Sequence, residues 1–295
     1  GLGCGRTNQN FIATEPDGTR LFVRIGLDLP AFGVTRAKEQ AAAKAAAASG
    51  VGAAVVRAEL PDTLVTAFVK GKALTEEQMH KAAGGGDPKL LSALTAAIRK
   101  LHATPLPDEL ASLIDGKPRW APPDLPRWIA GARAGGFARL PLLDDCDELI
   151  QSAEAFVEAG WPAAAPRFCH FDLLPDNFVV DVGSDDVNVS IVDFEYANAG
   201  QPLMDLAVLS MGSSLSPAEE RTLVASYLEV DAIDDAAAMR FVALKMLATL
   251  RETFWGVTAE VSKTSALSDA DAAAYVDENY AKFVAAREEF ERRRA

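Results

Sequence analysis

The sequence predicts an α+β fold in two lobes: a small antiparallel-sheet lobe with one helix over residues 1–70, and a large, mostly helical lobe over residues 71–295 with an embedded β-hairpin. Three observations predict it. Short β-prone runs and one Ala-rich helix fill the first 70 residues; Lys70-Gly71-Lys72 then breaks the pattern; beyond it helical periodicity dominates, interrupted by one strand–turn–strand segment. A parallel-sheet fold would alternate strand and helix along the whole chain, and this chain does not.

In the first lobe, Asn10–Glu15 and Arg20–Ile25 are joined by Pro16-Asp17-Gly18, a turn signal, and read as a hairpin. Thr35–Ser49 is Ala-rich with Lys and Gln interspersed, a strong helix former, and Gly50 stands where a left-handed residue ends such a helix. Ala53–Ala58 and Thr63–Val69 follow as strands across Leu60-Pro61-Asp62. In the second lobe, Thr75–Ala82 is a short helix ended by Gly84-Gly85-Gly86, and Pro88–His102 carries Leu91, Leu94, Ile98 and Leu101 at helical spacing. Thr104–Pro126 is Pro-rich and reads as irregular, and Asp145–Gly160 as a helix. Phe178–Asp181 and Val187–Val192 form the second hairpin around Gly183-Ser184-Asp185-Asp186, and helical patterns run from Pro202 to the end. No internal repeat is visible.

Composition narrows the function. With 49% hydrophobic and 24% charged residues the chain is not of the disordered type. A net charge of −13 argues against nucleic acid and anionic membranes as partners, since both are recognised with Lys and Arg. That charge is uneven: residues 1–145 hold 18 basic and 15 acidic residues, residues 146–295 hold 11 and 27. Cys4, Cys146 and Cys169 are odd in number and widely spaced, which fits reduced thiols in a cytoplasmic setting better than a disulfide framework or a zinc site. No apolar run reaches the length of a membrane span. The chain opens at Gly1 with no signal pattern.

The densest motif is His170-Phe171-Asp172-Leu173-Leu174-Pro175-Asp176-Asn177, followed by Ile191-Val192-Asp193-Phe194-Glu195. A protein-kinase catalytic loop reads H-R-D-L-x-x-x-N, then D-F-G after a hairpin. Asp172 and Asn177 have the template's spacing, and Asp193 closes a predicted strand. Phosphoryl transfer needs a carboxylate to take the hydroxyl proton and oxygen ligands for Mg²⁺. Asp172 is the candidate base, Asn177 and Asp193 the candidate metal ligands, and His170 an ordering residue. A metallohydrolase would need more histidines near His170, and the others, His80 and His102, fall in helical stretches.

The first lobe supplies partners. A Gly-rich run ending Arg6-Thr7-Asn8 precedes a strand and would let backbone N–H groups approach phosphates, with Thr7 and Asn8 in the cofactor loop. Arg24 sits where kinases place a phosphate-holding base, and Glu39, on the next helix, is its candidate ion-pair partner. Phe68 and Val69, between the lobes, are positioned for an adenine to meet the backbone. These features make the expected fold bilobal and protein-kinase-like. Phe171 replaces the Arg of H-R-D, and only 11 residues separate Asp193 from Asp205, which is read as structural at the start of an apolar helix. That leaves little room for a peptide-docking segment, so a small-molecule substrate is expected.

The sequence resembles the choline/ethanolamine kinase family, within the larger group of aminoglycoside-phosphotransferase-like kinases, over nearly its whole length. The resemblance rests on residues 5–8, 21–25, 65–71, Leu101-His102, the 170–177 loop, Ile191-Val192-Asp193-Phe194-Glu195-Tyr196, Pro202-Leu203-Met204-Asp205-Leu206-Ala207 and Phe254-Trp255-Gly256-Val257. It implies ATP, Mg²⁺ and a cationic amino-alcohol acceptor, with the catalytic roles on Asp172, Asn177 and Asp193; a homodimer is compatible with it. A quaternary ammonium has no N–H to donate and is held by aromatic faces and carboxylates. Trp255, Tyr196, Glu195 and Glu252 are the candidates. The family segment usually carries a second aromatic three residues after the Trp; here that position is Thr258, so ethanolamine or another amino alcohol competes with choline. An aminoglycoside or sugar phosphotransferase, and a silent nucleotide-binding module, are the alternatives.

Overall fold

The computed structural model describes residues 8–111, 120–183 and 186–294. The first lobe is a four-stranded antiparallel sheet of β1 (Gln9–Thr14), β2 (Arg20–Ile25), β3 (Val55–Glu59) and β4 (Thr63–Ala67), in the order β1-β2-β4-β3. One helix, α1 (Arg36–Ser49), lies between β2 and β3 in the chain. Thr35 caps α1 by accepting from the Lys38 N–H, and Gly50 ends it at φ 73°, a left-handed conformation that favours glycine. Arg24 faces Leu64 across β2 and β4, so the sheet register points a buried Arg toward α1.

The chain leaves this sheet through Phe68–Gly71 and enters β5 (Lys72–Ala73), which pairs with β7 (Phe178–Val182); β7 pairs in turn with β8 (Val187–Ile191). Gly71 has φ 133°, and a Cβ there would meet the Val180 carbonyl oxygen at 2.5 Å. Only glycine lets the link lie this close to the hairpin. A further pair, β6 (Arg167–Cys169) with β9 (Asn198–Gly200), brackets the 170–177 loop and the 193–196 segment. Three residues each, they carry no periodicity in the sequence and are paired only by the fold.

The helices are α2 (Glu76–Ala83), α3 (Pro88–Ala103), α4 (Asp108–Ala111), α5 (Leu125–Ala134), α6 (Cys146–Glu158), α7 (Pro202–Gly212), α8 (Pro217–Leu228), α9 (Asp235–Ser262) and α10 (Asp269–Arg294). The 28-residue α9 is buried on all sides over most of its length and packs against α5, α6, α7 and α10. A helix apolar all round belongs at a lobe's centre. The polar residues Arg251 and Glu252 in its buried middle are exceptions that the site explains. The stretch expected to be irregular, Thr104–Pro126, holds α4 and runs into the first two residues of α5, where Pro126 starts a helix rather than breaking one.

Candidate active site

The 170–177 loop is held by its backbone. The carboxylate of Asp205, at the start of α7, accepts the His170 N–H at 2.8 Å and the Phe171 N–H at 2.7 Å. His102 Nε2 binds the same carboxylate at 2.9 Å, and His102 Nδ1 meets the Tyr227 hydroxyl at 2.8 Å. His102, Cys169 and Asp205 form the one buried His/Cys/acid grouping with metal-ligand spacing among the described residues. Asp205 is already committed to two backbone donors and His102, so the grouping is a brace. His80, the other histidine outside the loop, binds Glu219 at 2.9 Å. Phe171 takes the left-handed φ of 60° and fills the space above Gly200, where a Cβ would meet its ring at 2.2 Å. The ring is buried, so a residue that would face an activation-loop phosphate in other kinases here belongs to the core.

His170 Nε2 donates to the Val192 carbonyl at 2.9 Å, and its Nδ1 accepts the Asp172 N–H at 3.2 Å. The ring is therefore neutral and orients both halves of the motif, and burial lowers its pKa. A one-turn 3₁₀ helix, Pro175–Asn177, swings Asn177 back so that its Nδ2 donates to the Asp172 carbonyl at 2.6 Å and to Asp172 Oδ2 at 3.1 Å. Asp172 is half-buried, and its carboxyl is pushed well above the usual range. Burial is the main cause and Glu252 the next, with Arg251 opposing them.

Asp193 has φ 68° and receives Arg24 Nη2 at 2.6 Å. Arg24 Nη1 donates to Glu39, so the predicted ion pair is made and extends to the predicted metal ligand. Burial disfavours the Arg24 charge, but Asp193, Glu39 and Glu195 outweigh it and hold the guanidinium firmly ionised. For Asp193 burial pulls upward, yet Arg24 keeps its carboxyl below the usual range. A second arginine completes the network: Arg36 Nη1 reaches Glu39 at 2.6 Å and Glu195 at 3.3 Å. Asn8 Nδ2 donates to Glu195 at 2.9 Å. Glu195 and Asn8 thus sit together in this interlobe network rather than on the acceptor wall and the cofactor loop where they were expected. Thr7 lies outside the described residues.

Between the lobes opens a cleft of about 330 Å³ with Phe22, Leu64, Phe68, Val69, Ile191 and Phe194 on its apolar walls and Arg24, Glu39, Asn177 and Asp193 at its polar end. The Phe68 N–H is spent on the Arg20 carbonyl at 3.0 Å. The Arg20 guanidinium lies 3.8 Å from the Phe68 ring centre.

On the far side of Asp172 lies an aromatic cluster. Trp255 Nε1 donates to the Tyr196 hydroxyl at 2.7 Å, and its ring packs on Phe32 and Tyr275. The Tyr275 hydroxyl donates to Glu252. Burial raises the Tyr196 pKa well above normal, keeping its hydroxyl protonated. Arg251, Asp124, Trp128 and Tyr275 belong to this cluster and were missed from the sequence, as Arg36 was in the interlobe network. Arg36 stands three residues before Glu39 on one helix, a readable signal. Arg251, beside Glu252 within an apolar helix, was another.

Two lobes of this topology around a braced Asp172, Asn177 and Asp193 define a kinase-like phosphotransferase. The family model of the phosphotransferase enzyme family, APH, matches residues 1–242, and the chain belongs to that family. Among solved structures it resembles a choline/ethanolamine kinase family protein from Mesorhizobium loti, with 25% identity, a TM-score of 0.71, and coverage of 99% of this chain and 89% of that one. An ethanolamine kinase from Plasmodium vivax has the same fold at 16% identity and a TM-score of 0.77, covering 97% and 81%. So has an aminoglycoside 2'-phosphotransferase-IIIa in its GDP complex, at 18% identity and 0.63, covering 95% and 91%. A search of curated proteins gives no match.

Proposed function

We propose that the protein transfers the γ-phosphoryl group of ATP to the hydroxyl of a small amino alcohol. The observation that carries this reading is the convergence of Arg24, Glu39, Asn177 and Asp193 at the polar end of one apolar cleft, with Asp172 hydrogen-bonded to Asn177. The cleft suits a purine between Phe22, Leu64, Phe68 and Ile191, and solved relatives of this fold hold AMP or GDP. Because the Phe68 N–H is engaged, the base would be read by other backbone groups of the 68–70 segment.

Arg24 is the phosphate contact, a forked donor fixed by Glu39. The Asn177 amide oxygen and the Asp193 carboxylate are hard oxygen donors that fit Mg²⁺, and both line the cleft. Bound there, the metal would neutralise charge on the phosphates. Asn177 pins Asp172 Oδ2, leaving the other carboxylate oxygen to take the acceptor's hydroxyl proton as the hydroxyl oxygen attacks the γ-phosphorus and ADP leaves. Burial and Glu252 raise the proton affinity of Asp172, the direction a general base needs. Glu252 offers a negative wall for an acceptor cation, and Tyr196 and Trp255 flank it.

Asp172→Asn should cut ADP release with amino-alcohol acceptors by about 10²–10⁴-fold while nucleotide binding persists. Unchanged turnover would remove Asp172 from the role of base. In an acceptor panel, turnover of aminoglycosides with none of choline or ethanolamine would overturn the acceptor class but not the phosphotransfer.

A further inference from the structure

The aromatic cluster beside Asp172 already holds a cation. Arg251 is 1% exposed, and its guanidinium carbon lies 4.9 Å from the Trp128 ring centre and 5.2 Å from that of Tyr196. Those two rings meet edge to face, 6.2 Å apart. The neighbouring faces are taken as well: Phe32 packs on Trp128 and Trp255, and Tyr275 packs on Trp255. The anions nearest Arg251 stand off at ion-pair distance. Asp124 Oδ2 is 3.5 Å from its Nη2 and Glu252 Oε2 3.8 Å from its Nη1, and Nε and Nη2 are buried without a hydrogen-bond partner. What holds the guanidinium is the pair of rings and the field of Asp124, Glu252 and Asp172.

We propose that Arg251 acts as a built-in occupant of the aromatic cage and confines the acceptor to amines that keep at least one N–H. The proposal rests on the amino-alcohol reading above and names its substrate class. A quaternary ammonium needs exposed aromatic faces, and the resident guanidinium has taken them. A protonated primary or secondary amine needs acceptors instead. Asp172 and Glu252 add carboxylate charge beside the guanidinium, while Asp124 is shared with Lys38 and Arg127, so the acceptors left for an ammonium lie on the side of Asp172 and Glu252. Tyr275 ties up Glu252 Oε1, while Oε2 lies beyond hydrogen-bond reach of Arg251.

The test is an N-methylation series: ethanolamine, its N-methyl and N,N-dimethyl derivatives, and choline, each with ATP and Mg²⁺. Losing the last N–H removes a charged hydrogen bond, so kcat/KM for choline should fall at least about tenfold below ethanolamine. Arg251→Met, which keeps the side chain's bulk and drops its charge, should narrow or invert that ratio. Should that variant not fold, competition against ethanolamine in the unmodified protein reads the same property: methylammonium inhibits and tetramethylammonium does not. Choline used as well as ethanolamine, inhibition by tetramethylammonium, or a ratio unmoved in Arg251→Met overturns the proposal. The acceptor reading fails differently: none of the four alcohols is phosphorylated although another acceptor releases ADP, and the proposal falls with it.

Discussion

Arg36 shows what a single residue does at this site. It joins Glu39 on its own helix to Glu195 on the segment after Asp193, with 2% or less of its surface exposed, so it fastens α1 to the loop bearing a proposed metal ligand. Breaking a buried ion pair leaves its partners charged and desolvated, at about 3–5 kcal/mol. Arg36→Met should lower unfolding free energy in urea by about that amount, and Glu195→Gln on the same background should restore part of it. Additive losses in the double variant would show that the pair is not coupled. His170 makes a second prediction, with its sign set by geometry. Its ring accepts on Nδ1 and donates on Nε2, and burial holds its pKa below the ordinary 6.5. The unfolded chain therefore takes up the proton first, so the contribution of His170 is complete well above pH 6.5 and is lost as the pH falls below it. Urea midpoints measured from neutral to mildly acidic pH should fall less steeply in His170→Gln than in the parent. Equal slopes would mean that His170 takes up its proton alike in both states. Asp172, whose carboxyl is raised, contributes with the opposite sign and cancels in the comparison.

At the scale of elements, α9 and α10 shape the proposed acceptor wall through a glycine. A Cβ on Gly256 would meet Val276 Cγ2 at 2.9 Å and Tyr275 Cδ1 at 3.0 Å, so the two helices touch where Tyr275 reaches Glu252. Gly256→Val should cost about 1–3 kcal/mol through overpacking and raise the acceptor KM severalfold, leaving the nucleotide KM alone. A rise in both would place the damage in the whole lobe. The same scale shows what was legible in the sequence. The hairpin of β1 and β2, helix α1 with Gly50, and the β7–β8 hairpin carry local turn and cap residues, so their pattern is readable without the fold. Strands β5, β6 and β9 span two or three residues, and their partners lie far off, as with Arg167 opposite Gly200. Helix α5 hid behind a proline that starts it. The candidate catalytic residues stood out as a motif because phosphoryl transfer asks for residue type and spacing together. The Arg251 cage was not, because Asp124, Trp128, Tyr196 and Arg251 come from three separate segments.

At the scale of the molecule, charge divides as the two proposed substrates do. Residues 1–145, which supply Arg24 and one side of the apolar cleft wall, carry a net +3, and residues 146–295, which supply Asp172 and Glu252, carry −16. Many of the latter acids are spent locally: Glu289 lies between Lys245 and Arg293, Glu291 pairs with Arg287, and Glu260 with Arg139. The rest still set a negative field around the helical lobe, which concentrates cations and repels a nucleotide that must enter beside it. Salt should therefore act on the two substrates in opposite directions. Raising ionic strength from about 0.01 M to about 0.15 M shortens the screening length from about 30 Å to about 8 Å. Over that range the KM of a cationic amino alcohol should rise and that of the nucleotide should fall, with kcat nearly constant because the reacting groups lie within the screening length of one another. Measuring both constants at fixed Mg²⁺ decides it. If both move the same way, the field around the helical lobe does not sort the substrates. If the acceptor KM stays flat while the nucleotide KM falls, the acceptor is held by the buried carboxylates alone, and the surface acids serve only to keep the chain in solution.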